Sequence, residues 1–162
     1  MKVIFEKLPQ NLEEMKNCPY GTLSKPEYAP ALFLCAMIVY PQNKEEALKM
    51  VEYLKGPEGL SEYEKQFLKD RMEGQEYVPY SFFAGSSVKN HYTPALPYTL
   101  EFEAVPTSFP DDTHATLYIL SAGADSPRNA SMRLKPSTGQ WFLSQQMLLA
   151  NIRIPEDIDP WA

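Results

Sequence analysis

Three short polar segments carry the residue types that could do chemistry, and they stand far apart in the chain. Asp70-Arg71 follows a patterned apolar stretch, Asn90-His91-Tyr92 lies in a long segment bounded by prolines, and Asp125 and Arg128 flank Ser126-Pro127. A planar guanidinium matches a carboxylate with two parallel hydrogen bonds. Arg71 reaching Asp125 would therefore join the first segment to the third. A fully paired set of this kind is a structural clasp, whereas one open to solvent with unpaired donors is a binding site. The candidate binding residues are Asp70, Arg71, Asn90, His91, Tyr92, Asp125 and Arg128, and none is singled out as catalytic.

Several familiar chemistries find no foothold. The chain contains no glycine-rich phosphate loop, no G-x-G-x-x-G and no G-x-S-x-G. His91 and His114 fall in different segments, without cysteine or carboxylate at a ligand spacing, so no metal is expected. No cofactor is expected either. Cys35 sits in an apolar run and reads as a small buried hydrophobe, and Cys18 precedes a proline. Neither suits an activated thiol, and no disulfide is expected between them.

The elements that must position these residues divide into two halves. Asn11 with Glu14, Ser24 with Glu27, Asn43 with Glu46 and Ser61 with Glu64 are capping signals for four helices. Pro19 stops the first. The second, over 31–40, is apolar nearly all round and should be the most buried. The third turns Ala47, Leu48, Val51 and Leu54 inward and stops at Gly56-Pro57. The fourth turns Tyr63, Phe67, Leu68 and Met72 inward and closes at Gly74.

Beyond it, 99–105 alternates apolar and polar residues, as a strand with one wet face does. The 114–121 stretch is apolar on both faces and should be a central strand. Strands over 130–135 and 140–145 are joined by a tight hairpin at Pro136-Ser-Thr-Gly139. A further strand near 77–83 is allowed. The expected fold is α+β, with N-terminal helices packed on a C-terminal antiparallel β-meander of about four strands. One domain spans 1–162, with a helical half over 1–75 and a strand-rich half over 76–162. Phe33, Met37, Val51, Leu54, Phe67, Leu100, Phe102 and Trp141 are the expected core.

Composition narrows the class of partner. Hydrophobic residues make up 44% and charged residues 22%, values of an ordinary globular chain rather than a disordered one. The net charge of −6 and the absence of a basic cluster argue against nucleic acid and anionic membrane as partners. The N-terminus meets charge too soon for a signal peptide, and the longest apolar run, 29–40, is too short to cross a bilayer. A cytoplasmic location is expected.

The sequence resembles a family of small uncharacterised bacterial domains. The resemblance is carried by Leu54-Lys-Gly-Pro57, Phe67-Leu-Lys-Asp-Arg71, Asn90-His-Tyr-Thr-Pro94, Gly123-Ala-Asp-Ser-Pro-Arg128, Gln140-Trp-Phe-Leu143, Ile152-Arg-Ile-Pro155 and Asp159-Pro-Trp-Ala162. It covers most of the chain from about residue 31 onward. Tyr80 stands where the family pattern has a basic residue. The family implies an intact domain and no assigned activity. The leading expectation is a non-enzymatic binding or protein-interaction module, meeting a protein partner or a second copy of itself. The alternative is a small-molecule binder or enzyme with a polar site between the sheet and the 80–97 segment.

Overall fold

The computed structural model describes all 162 residues. In chain order the elements are β1 (Lys2–Phe5), α1 (Leu12–Asn17), α2 (Tyr28–Val39), α3 (Lys44–Lys55), α4 (Glu62–Met72), β2 (Tyr98–Glu103), β3 (His114–Ile119), β4 (Arg128–Lys135) and β5 (Gln140–Gln146).

Three helices start where a side chain meets a free backbone N–H. The Asn11 side chain accepts from Glu14 N at 2.8 Å, and that of Asn43 from Glu46 N at 3.2 Å. Ser61 and Glu64 form a reciprocal capping box on α4. The expected cap on α2 does not form. Ser24 accepts a hydrogen bond from Thr22 Oγ1 instead, and the helix begins at Tyr28 without a side-chain cap. Its stability comes from burial, since every residue from Ala29 to Val39 is buried. Large apolar side chains contribute roughly 1.5–3 kcal/mol each when removed from water, which outweighs a missing cap of about 1 kcal/mol.

The sheet has five strands in the order β1-β2-β3-β4-β5, each antiparallel to its neighbour. The expectation of about four strands following all the helices is corrected here. β1 precedes every helix and pairs with β2 in the register Val3↔Leu100 and Phe5↔Tyr98. Val3 and Phe5 are buried while Lys2 and Ile4 face out, a period of two that only four residues display. The helices are thus an insertion between the first two strands. β3 is central, and the turn over 136–139 joins β4 to β5 with Lys135 opposite Gln140. No strand forms near 77–83, where Pro79–Phe82 make a 3-10 turn.

Thirty-six buried side chains form one hydrophobic cluster. It contains Phe33, Met37, Val51, Leu54, Leu100 and Phe102, but Phe67 and Trp141 are only partly buried at its margin. Tyr63 does not turn inward and is 80% exposed. Leu68 and Met72 set the buried stripe of α4, and Tyr63, five residues before Leu68, points about 140° away from it. No helix is long and apolar enough to cross a membrane.

Candidate functional site

The segment between α4 and β2 is long for a connection, and its own side chains order it. Phe82 and Phe83 anchor it in the core. Ala84 N donates to Thr99 O and Ala95 N to Ala84 O, each at 2.9 Å, which draws the segment's two arms together. Asn90 then stitches the tip. Its Oδ1 accepts from Ser87 N and Thr93 N, and its Nδ2 donates to Gly85 O and Thr93 O. Both donors and the acceptor of the amide are in use.

The next two residues adopt left-handed backbone, His91 at φ 56 and Tyr92 at φ 48. Such conformations cost non-glycine residues about 1–2 kcal/mol each. They send the two side chains in opposite directions. His91 stays on the surface, with Nδ1 2.7 Å from Asp157 Oδ1. Tyr92 is buried, donates its hydroxyl to Arg153 O at 2.7 Å, and stacks on Tyr77 at a centroid distance of 5.9 Å.

Behind Tyr92 lies the 121–128 segment. A side chain on Gly123 would overlap the Tyr92 hydroxyl and Ile152, so only glycine permits this approach. Asp125 pairs with Arg153, not with Arg71. Arg128 donates Nε to Ala150 O at 3.2 Å, Nη1 to Ser126 O at 3.0 Å and Nη2 to Asn151 O at 3.1 Å. Nη1 also donates to Ser126 Oγ at 3.2 Å, so Arg128 ties two loops together through three carbonyls and a hydroxyl. The expected bridge from Arg71 does not form, because the Arg71 guanidinium lies over the Phe67 ring, 5.1 Å from its centroid. Asp70 accepts from Gln66 Nε2 one turn earlier. Neither residue hydrogen-bonds Asp125 or Arg128. The structure therefore joins Asn90, His91 and Tyr92 to the chain around Asp125 and Arg128, through Tyr92, Arg153 and Asp157, and leaves Asp70 and Arg71 out of that network.

On the other side of the segment, a recess of about 500 Å³ opens to solvent. Its walls include Glu76, Tyr77, Tyr80, His91, Leu96 and Tyr98. The hydroxyls of Tyr77, Tyr80 and Tyr98 donate to and accept from no protein group, and Glu76 has neither an ion pair nor a hydrogen bond. Burial pushes the Tyr77 phenol above its usual range. Burial does the same to Tyr80, assisted by the neighbouring Tyr98 and the Glu76 charge. These phenols stay neutral at physiological pH and leave Glu76 as the one acidic group of the recess. Sequence reasoning found His91 and Tyr92 but missed Glu76, Tyr77, Tyr80 and Tyr98 as a group. A tyrosine recurring at 77, 80, 92 and 98 was the available signal.

The other polar constellations are already matched. Between α4 and β5, a cleft of about 580 Å³ carries Lys55 and Glu64 at 2.7 Å, and Lys55 Nζ also donates to Ser144 O. Asp111, Thr113 and His114 form a tight surface turn. The Asp111 carboxylate and the Thr113 hydroxyl both approach His114 Nδ1, at 2.9 and 3.0 Å. A nucleophile–base–carboxylate relay needs its two partners on opposite ring nitrogens, so this arrangement is an Asx-type turn. Cys35 is fully buried, and burial pushes its thiol far up. The Cys18 thiol donates to Met15 O.

A family of domains of unknown function, DUF6935, matches residues 7–156. The chain belongs to this family. The match begins well before residue 31, where the resemblance starts, and ends before Asp159-Pro-Trp-Ala162, one of the strings that carry it. No curated protein and no solved structure matches the chain.

Proposed function

We propose that this DUF6935 protein is a non-enzymatic binding module of the bacterial cytoplasm, and that the tyrosine recess takes its ligand. One observation carries the reading. Tyr77, Tyr80, Tyr98 and Glu76 line one open recess of about 500 Å³, and their hydroxyls and carboxylate hydrogen-bond to no other group of the protein. Small-molecule sites characteristically pair aromatic walls with a few polar groups placed to orient the ligand. The rigid surroundings support the same reading, because a site on ordered backbone loses little freedom on binding. The ligand group can belong to a free molecule or to a protein partner. Under this reading Arg128, Asp125 and Asn90 hold the recess in shape and do not touch the ligand.

The enzymatic alternative, a site between the sheet and the 80–97 segment, draws less support. A cleft of about 280 Å³ does lie there, lined by Thr99, Glu101 and Tyr118. The Ser81 hydroxyl beside it is buried, donates to Val78 O and accepts from Ser121, with no base in reach.

A fragment screen read by the ring signals of the tyrosines tests the proposal. Fragments that bind should shift Tyr77, Tyr80 and Tyr98 together. Hits confined to the α4–β5 cleft, or no hits in the recess, would overturn it.

A further inference from the structure

We infer that the recess receives an organic cation bearing N–H donors, an alkylammonium or guanidinium group, an inference that rests on the recess being the ligand site. The faces of tyrosine rings carry negative quadrupole density and attract cations lodged against them. Tyr77, Tyr80 and Tyr98 border one opening, and Tyr92 stacks behind Tyr77. Glu76 lines the same opening with its charge uncompensated, and no lysine or arginine lines it. The one basic residue in the wall, His91, is already engaged by Asp157 at 2.7 Å.

Other ligand charges fit these walls less well. An anion would meet both Glu76 and the electron-rich ring faces. A neutral ligand would bring nothing to answer the Glu76 carboxylate. A quaternary ammonium would satisfy the rings but leave the three free hydroxyls without a donor. A guanidinium or primary ammonium satisfies all three features, because its N–H groups reach phenol oxygens and carboxylate while its charge sits over the rings. The recess is larger than such a group alone, so the alkyl part of the ligand lies along Pro94 and Leu96. The shared chemistry is an alkyl chain ending in an N–H cation. It can come from a small free amine or from an arginine or lysine side chain of a partner protein.

The test uses the full chain and four probes: agmatine, an acetylated Gly-Arg-Gly amide, the same peptide with citrulline for arginine, and succinate. Binding is followed by the tyrosine ring signals and by calorimetry. The two cationic probes should bind, with the citrulline peptide at least about tenfold weaker and succinate not binding. Tighter binding of the peptide than of agmatine identifies a protein side chain as the source, and the reverse identifies a free amine. Glu76→Gln should weaken the arginine peptide about fivefold or more and leave the citrulline peptide unchanged. Tyr80→Leu should weaken the cation most, and Tyr80→Phe, which keeps the ring face but loses one hydroxyl acceptor, should weaken it less. Thermal melting of each variant confirms that the fold is intact. Equal binding of the arginine and citrulline peptides, or an unchanged affinity in Glu76→Gln, would overturn the cation and leave the recess standing as the site. Silence from every probe together with an empty fragment screen would sink both.

Discussion

The two sides of the 76–98 segment are built from the same few residues and differ in one respect. On the inner side, every polar group has found a partner: Tyr92 holds Arg153 O, Arg128 holds three carbonyls, and the Asn90 amide is saturated. On the outer side, three tyrosine hydroxyls and Glu76 have found none. The difference teaches how to read polarity on a folded surface. Buried polar groups left unpaired cost free energy comparable to a lost hydrogen bond, so the inner side must be closed for the fold to stand. The outer side is wet when empty, and water meets those groups at no cost to folding. Residues on the inner side should therefore govern stability, and those on the outer side should govern binding.

The contrast is open to mutation, beginning with the divider. Tyr92→Ala removes a fully buried ring that touches both sides, and should lower stability by about 3–5 kcal/mol in chemical denaturation. A loss below about 1 kcal/mol would break the comparison at its hinge. Tyr92→Phe isolates the hydroxyl bond to Arg153 O and should cost about 1 kcal/mol. Arg128→Ala leaves the carbonyls of 126, 150 and 151 without their donor, and should cost about 1–3 kcal/mol. Arg128→Lys should not recover this loss, because a point charge cannot serve three divergent acceptors.

A glutamate outside this segment, already paired, adds a test by pH. Burial alone would raise the Glu64 carboxyl, but hydrogen bonds from Lys55 and Ser61 and the lysine charge outweigh it and hold the group below its usual range. A carboxyl lowered in the folded state stabilises above its unfolded pKa, and that contribution fades as pH falls through the folded value. Stability measured from neutral pH downward should thus decline more in the natural protein than in Glu64→Gln. Because Glu64 is partly exposed, solvent screening keeps the difference below about 1 kcal/mol. The smallest effects belong to exposed positions. Asp125→Asn breaks an ion pair at the surface and should change stability by less than about 1 kcal/mol, and less still in high salt. Tyr80→Phe should stay within about 0.5 kcal/mol of the natural protein. A large loss there would make the outer side structural as well.

Most of the helical layer was readable, because its signals are local. Asn11, Asn43 and Ser61 cap helices three residues from the groups they bind, and the all-apolar stretch of α2 could only be buried. β2 and β4 were equally plain, since period-two alternation over six or more residues has one reading, whereas the 114–121 stretch, read as apolar on both faces, alternates between buried and partly exposed positions. β1 escaped because four residues show too little alternation, and its partner lies almost a hundred residues away. Tyr63 and Ser24 were misassigned by motif, as the stripe of a short helix and a capping pair both fit more than one rotation or turn.

The candidate site shows the limit most clearly. Arg71 and Asp125 are residues that need partners, yet the bridge expected between them does not form. The sequence states that a guanidinium needs acceptors. It does not state whether they will be a carboxylate, three carbonyls or a phenyl ring, because that depends on which backbone arrives within about 3 Å. By itself the sequence determined the class of fold, the burial of α2, the wet face of β2 and the polar residues that demand satisfaction. Only the tertiary structure decided which demands are met, by folding Arg153 and Asp157 back against the 123–125 and 90–92 turns and leaving Glu76 and three tyrosines facing open water. Local patterns are set by a few neighbours along the chain, whereas satisfaction is set by groups that meet only once the long connections have closed.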